Sequence, residues 1–219
     1  MIEEGDKNIM RLKITFLVAV VVALFGVSAA SASASTFLAA SYPVLVEGEG
    51  GTQTFEAGGA KSVCSQVLAM SGSIAGPTST LLVHPVYEGH CLVTISAAKV
   101  AAKVLTTGCN YVFHAALSLT KEGSVDIECE TGKEIKIELE GSLLGCVISV
   151  GSQNGLKSID YMNNEPALGE VTINAAVTKI AWKATSICGI ALSGTEATYT
   201  GKATAKGTSG GLPDEVTVD

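Results

Sequence analysis

Between Gly108 and Val150 the apolar residues return at every second position. Cys109, Tyr111, Phe113, Ala115, Leu117 and Leu119 alternate with smaller or more polar neighbours. The alternation resumes at Val125, Ile127 and Cys129 after Thr120-Lys121-Glu122-Gly123. It resumes again at Ile135, Ile137 and Leu139 after Glu130-Thr131-Gly132-Lys133. Side chains of a strand point alternately to its two faces, so a period of two means strands with one buried face. Read with the two glycine-containing breaks as hairpin turns, the stretch is a three-stranded antiparallel meander. Its outer face carries Asp126, Glu128, Glu130, Glu134, Lys136, Glu138 and Glu140.

The rest of the chain has the same grammar. Tyr42-Pro43-Val44-Leu45-Val46 reads as an edge strand, because proline cannot donate to a central ladder. Glu47-Gly48-Glu49-Gly50-Gly51 reads as a turn, residues 52–57 and 62–70 as strands, and residues 71–77 as a loop. Residues 80–84 form a strand that Pro85 should stop. Residues 96–105 would tolerate a helix but lead directly into the meander, so extended structure is expected. Beyond it come strands at 146–150, 156–162, 171–182 (with a bend) and 197–204. A tight turn is expected at Asn154-Gly155 and a short final strand at 215–218. About a dozen short strands between Gly, Asn and Pro turns make a β-sandwich or barrel. The expected fold is all-β: an antiparallel sandwich, jelly-roll or Greek-key-like, stapled by disulfides. It should occupy residues 35–207 as one domain, in two β-halves if residues 70–76 and 199–205 echo an old duplication. Residues 208–219 should form a Gly-rich, acidic tail.

Residues 14–27 form an apolar run too short to span a bilayer, preceded by Arg11 and Lys13 and followed by Ala32-Ser33-Ala34. That is the pattern of a secretory signal peptide, residues 1–34. Glu3, Glu4 and Asp6 are out of place in its basic end, and Met10 is the better start. The net charge of −7 is unchanged by cleavage, and the only arginine leaves with the leader. An acidic chain without arginine is a poor ligand for nucleic acid. No second long apolar run follows, so no membrane span is expected after cleavage.

All six cysteines, Cys64, Cys91, Cys109, Cys129, Cys146 and Cys188, lie beyond the leader. An even number in an exported chain implies a disulfide framework, and no C-x-x-C spacing suggests zinc or redox chemistry. If the first hairpin turns tightly around Lys121-Glu122-Gly123, Leu119 faces Val125 and Cys129 faces Ala115. Cys109 would then be about 20 Å from Cys129 at 3.3 Å per residue, too far for a disulfide. Each would reach instead to Cys146 or Cys188, leaving Cys64 with Cys91.

The spaced pieces Pro85-Val86-Tyr87-Glu88-Gly89-His90-Cys91, Gly108-Cys109-Asn110-Tyr111, Val125-Asp126-Ile127-Glu128-Cys129 and Cys146-Val147-Ile148 carry a resemblance. With Cys64, Cys188 and Tyr199-Thr200-Gly201 they cover most of the mature chain. In these the chain resembles a paralogous group of uncharacterised secreted six-cysteine β-rich proteins of soil actinobacteria. Glu130 stands where that group carries proline. The resemblance implies export and a β fold, and nothing about chemistry.

Few residues suggest chemistry. Gly207-Thr208-Ser209-Gly210-Gly211 matches the G-x-S-x-G pattern of serine hydrolases, but Pro213 follows and no histidine lies downstream. His84 and His90 flank Pro85-Val86-Tyr87 beside Cys91 and could bind copper or zinc were that cysteine reduced. In the expected meander Asp126 faces Glu138 and Glu130 faces Glu134, a weak Ca²⁺ candidate whose simpler reading is a solvated face. Tyr87, Tyr161, Trp182 and Tyr199 could form a sugar-stacking platform, though core packing is the commoner role. The reading is a non-enzymatic structural or binding protein of the cell exterior, secreted or surface-held, without a cofactor. Its partner would be a glycan or another cell-envelope component, and no catalytic residue is assigned. A carbohydrate-binding module is the alternative and a secreted hydrolase the third reading.

Overall fold

The computed structural model describes residues 35–65, 68–87, 89, 91–116, 122–164 and 169–219. The proposed leader and start site lie outside the described residues. The fold is all-β and antiparallel, with three disulfides. Three long strands form its continuous part: β2 (Val44–Ala57), β13 (Glu170–Ala184) and β14 (Ser193–Ser209). The remaining wall is built from β3 (Ala60–Cys64), β4 (Leu68–Ile74), β5 (Thr80–Tyr87), β6 (Cys91–Ile95), β7 (Ala98–Leu105), β8 (Cys109–His114), β9 (Glu122–Cys129), β10 (Ile135–Leu139), β11 (Val147–Val150) and β12 (Gln153–Asn163).

The pairings resolve this list into eight columns. Around one end β2, β4, β5, β8, β9, β12, β13 and β14 pair in sequence, and β14 returns to β2. Around the other end the order is β2, β3, β6, β7, β10, β11, β13 and β14. Thus β3 runs on into β4, β5 into β6, β7 into β8, β9 into β10 and β11 into β12, each broken at mid-height. The chain climbs and descends the eight columns in sequence order, and the β2–β14 pairing closes the sheet. Closure leaves two facing walls around one core, and the strand order is up-and-down rather than Greek-key.

This topology corrects several expectations. β8 and β9 do pair, but at Cys109↔Cys129 and Phe113↔Val125, six residues away from a tight turn at Lys121. The connection is long, and residues 117–121 lie outside the described residues. β9 and β10 do not form a hairpin: β9 pairs with β8 and β12, β10 with β7 and β11. Thr131-Gly132-Lys133 is therefore a tight turn, with the Lys133 amide donating to the Glu130 carbonyl, that breaks a column at mid-height and does not close a hairpin. The inward face was read correctly, since Val125, Ile127, Ile135, Ile137 and Leu139 are all buried.

Cys64↔Cys91 and Cys109↔Cys129 are directly opposed cross-strand pairs, with Cα atoms 4.2 and 4.0 Å apart, and both are bonded. Cys146–Cys188 joins the ends of two loops at the far end of the barrel. The Cys64–Cys91 pairing holds. The expectation that Cys109 and Cys129 reach out to Cys146 and Cys188 fails because it rested on the tight hairpin.

The Glu47-Gly48-Glu49-Gly50-Gly51 segment is the middle of a strand rather than a turn. Gly48 faces inward, where a Cβ would lie 2.6 Å from Met70 Cε, so glycine there lets a neighbouring side chain cross the core. Two residues, Gly51 and Thr52, oppose a single residue of β14, and this bulge restores the inward alternation at Gln53, Phe55 and Ala57. A second bulge, with Lys179 at φ 62°, gives the expected bend in β13.

Pro85 does not stop β5. Beyond Val83, β5 no longer pairs with β8, and the Pro85 carbonyl points to that open side, where it accepts a 2.6 Å hydrogen bond from Thr106 Oγ1. The missing N–H faces the same gap, so no ladder bond is lost.

Residues 208–219 are not a loose tail. They contain the end of β14, β15 (Leu212–Asp214) and β16 (Val216–Val218), and β16 pairs with β1 (Phe37–Ala39). Phe37 and Val216 are buried, and Phe37 meets the Tyr161 ring edge-on at 5.4 Å. This ribbon plugs one end of the barrel. At the other end Trp182 packs beneath Gly58 and Gly194.

Candidate functional site

A cavity of about 100 Å³ lies inside the barrel at the level where the columns break. An eight-stranded barrel has an interior just large enough to be filled by side chains or to hold one small molecule. Here the wall from β13 and β14 includes Ala175, Gly201 and Ala203, too small to reach the centre, beside the larger Ile173, Val177, Ile180 and Tyr199. Phe113, Ile127, Ile137 and Leu156 form the opposite side. The lining is almost wholly apolar. Lys202 contributes backbone, since its side chain faces solvent.

Five polar side chains break this apolar surface: Gln53, Ser62, Tyr87, Tyr111 and Tyr199. Gln53 is inward because of the bulge that precedes it, and only 3% exposed. Its Nε2 donates to the carbonyls of Gly51 (3.2 Å) and Lys202 (3.0 Å), so Oε1 must face the cavity. Tyr199 donates to that oxygen at 2.6 Å. Tyr87 Oη lies 3.2 Å from Tyr199 Oη and 3.0 Å from Tyr111 Oη.

Only one direction gives every phenolic proton an acceptor: Tyr111 to Tyr87 to Tyr199 to Gln53. A carbonyl oxygen can only accept, so the chain is fixed from that end. Burial pushes the Tyr87, Tyr111 and Tyr199 hydroxyls well above the ordinary tyrosine range, so all three stay neutral. Tyr161 is raised for the same reason, but its hydroxyl donates to the His114 carbonyl, away from the relay.

Two hydrogen-bonding functions remain open in the chamber. Tyr111 Oη gives its proton to Tyr87 and receives none in return. Ser62, 3% exposed on β3, has a hydroxyl with no partner among the described residues. An unpaired buried hydroxyl costs stability unless something occupies its site.

The residues singled out by sequence lie elsewhere. Tyr87 and Tyr199 enter the relay, Tyr161 packs on Phe37, and Trp182 is 5% exposed. These four therefore make no surface platform. His84 Nδ1 bonds Asn110 Oδ1, and His90 lies outside the described residues. Asp126 is engaged by His114 Nε2 at 2.8 Å and by the Gly155 amide at 2.6 Å. The Asp126/Glu138 and Glu130/Glu134 pairs do not face one another, because β9 and β10 do not pair. Among the described residues no group of three or more His, Cys, Asp or Glu side chains is placed to hold a metal ion. Gly210 and Gly211, both at positive φ, form the two-residue turn between β14 and β15. The G-x-S-x-G sequence is thus a hairpin, not a strand–turn–helix elbow.

Gln53, Ser62 and Tyr111 were not legible as a site. Tyr111 read as one more core position in the alternation. A comparison with family models, curated proteins and solved structures finds no match to this chain. Among the described residues no helix is long and apolar enough to cross a membrane.

Proposed function

We propose that this chain is a non-enzymatic binding protein of the cell exterior that holds one small, largely apolar molecule inside its barrel. The observation that carries this reading is the apolar chamber, with neutral hydroxyls grouped at one place in its wall. An apolar lining with a few convergent polar groups is the usual character of a small-molecule site. Three disulfides favour an oxidising compartment, in keeping with the leader-like N-terminal sequence. A sugar-binding surface finds less support, because the aromatic residues that would build it face inward.

Benzene tests the reading. At saturation it should raise the melting temperature of the oxidised chain, as a ligand specific to the folded state does. Filling the chamber with Ala175→Leu or Ala203→Leu should remove that increase. No stabilisation of the wild type by benzene or its small substituted relatives, or stabilisation that survives both fillings, would overturn it. The mass of the exported protein should correspond to cleavage near Ser35, with no alkylatable thiol before reduction.

A further inference from the structure

The chamber's unfilled hydrogen bonds narrow what it holds. Ser62 Oγ can donate or accept, and it has no partner among the described residues. Tyr111 Oη can accept only, because its proton is committed to the relay. Ser62 pairs in register with Phe55, and Phe55 with Tyr199. The backbones of Ser62 and Tyr199, the third member of the relay, therefore stand two strand spacings apart, roughly 10 Å along the wall. The cavity of about 100 Å³ limits an occupant to the size of one small ring.

Among the described residues no charged side chain lines the chamber. An ionised ligand would lose its hydration with nothing to replace it. A plain hydrocarbon would leave the Ser62 hydroxyl unpaired. We infer, on the strength of the interior-binding reading above, that the chamber selects an uncharged, ring-sized molecule bearing one hydroxyl. Its hydroxyl accepts from Ser62, and its apolar body lies against Ile127, Ile137 and Ala203. The ligand's hydroxyl takes up hydrogen-bonding capacity that the protein cannot satisfy internally. Its deletion from the ligand is felt as an unpaired buried group in the protein.

Phenol, benzene and benzoate at neutral pH separate the possibilities. They are titrated by calorimetry into the oxidised wild-type chain and into Ser62→Ala. Phenol should bind the wild type about five- to tenfold more tightly than benzene, the worth of one neutral hydrogen bond. Benzoate should not bind. In Ser62→Ala the phenol-to-benzene ratio should fall to about twofold or less, with benzene affinity unchanged or improved. Equal affinity of the wild type for phenol and benzene overturns the inference while leaving interior binding intact. So does a ratio that survives Ser62→Ala. The wild-type ratio needs no variant, so a poorly folding Ser62→Ala would not rescue the proposal. If neither phenol nor benzene binds, the inference falls together with the reading on which it rests.

Discussion

Adding one methyl group at Gly201 should collapse the relay. Gly201 is paired with Gln53 on one side and Ala175 on the other, in the middle of the longest strand. Its φ is outside the left-handed region, so alanine meets no backbone strain there. The added Cβ would instead overlap Gln53 Oε1 and lie 2.6 Å from its Cδ. The amide group cannot retreat while keeping its bonds, because both of its N–H groups are fixed on Gly51 and Lys202 carbonyls. Gly201→Ala therefore forfeits three hydrogen bonds, the two from Nε2 and the one from Tyr199. At about 1 kcal/mol net for each, the loss is about 3 kcal/mol, and carbonyls left unpaired add to it. Replacing a strand glycine returns about 0.5–1 kcal/mol. The expected net destabilisation is about 2–4 kcal/mol. Gly51→Ala is the control, since a Cβ there meets nothing within 4 Å. Guanidinium unfolding followed by Trp182 fluorescence reads both. The midpoint should fall for Gly201→Ala with an unchanged slope and stay put for Gly51→Ala. Adding Gln53→Ala to Gly201→Ala should recover part of the loss, as expected for residues in direct contact. A Gly201→Ala protein within about 0.5 kcal/mol of wild type would refute the relay geometry.

Three further outcomes are expected. Replacing Cys109 and Cys129 together by alanine frees a 20-residue separation and should cost about 3 kcal/mol in urea unfolding; peptide mapping without reduction should show the Cys109–Cys129 link in the wild type. The Tyr87, Tyr111, Tyr161 and Tyr199 hydroxyls are raised by burial, so their contribution to stability is complete below the ordinary tyrosine pKa of about 10 and is lost as pH climbs towards the raised values. Phenolate absorbance from these four should appear only together with unfolding, and their smooth titration in the folded protein would contradict the buried relay. Phe37→Ala, which empties the plug over Tyr161, should cost about 3–5 kcal/mol by thermal melting.

The faces of the strands were legible, and their neighbours were not. Period-two alternation assigned Val125, Ile127, Ile135, Ile137 and Leu139 to the interior, because the pleat acts residue by residue. Whether Thr131-Gly132-Lys133 reverses the chain or merely jogs it is decided by which strands lie alongside, namely β8 and β12 for β9 and β7 and β11 for β10, and the local alternation does not name them. The same holds at Pro85 and Gly48. A proline is excluded from a ladder and an inward glycine weakens a strand, so both read locally as breaks. Both are accommodated by what stands across from them: a gap beside β8 for the proline and the Met70 side chain for the glycine. The disulfide error has the same root. The distance argument was sound for a tight hairpin, and the wrong register made Cys109 appear remote from Cys129.

The cysteines and the chamber have a common cause in the mid-height breaks. Where a column breaks, its two halves lose ladder hydrogen bonds and the wall loses lateral tension. Cys64 ends β3 and Cys91 begins β6; Cys109 begins β8 and Cys129 ends β9. Each bond therefore ties adjacent columns at the level where their backbone pairing lapses, one on the upper side of the break and one on the lower. At the same level the two bulges in β2 and β13 turn Gln53 and Ile180 inward, and the small residues Ala175, Gly201 and Ala203 keep the centre open. A barrel with unbroken strands would have no need of covalent ties at its waist. A barrel filled by larger side chains there would have no need of a hydrogen-bonded relay to satisfy Gln53. The interior space therefore lies at the weakest level of the wall, and the two covalent ties and the relay both reinforce the wall there.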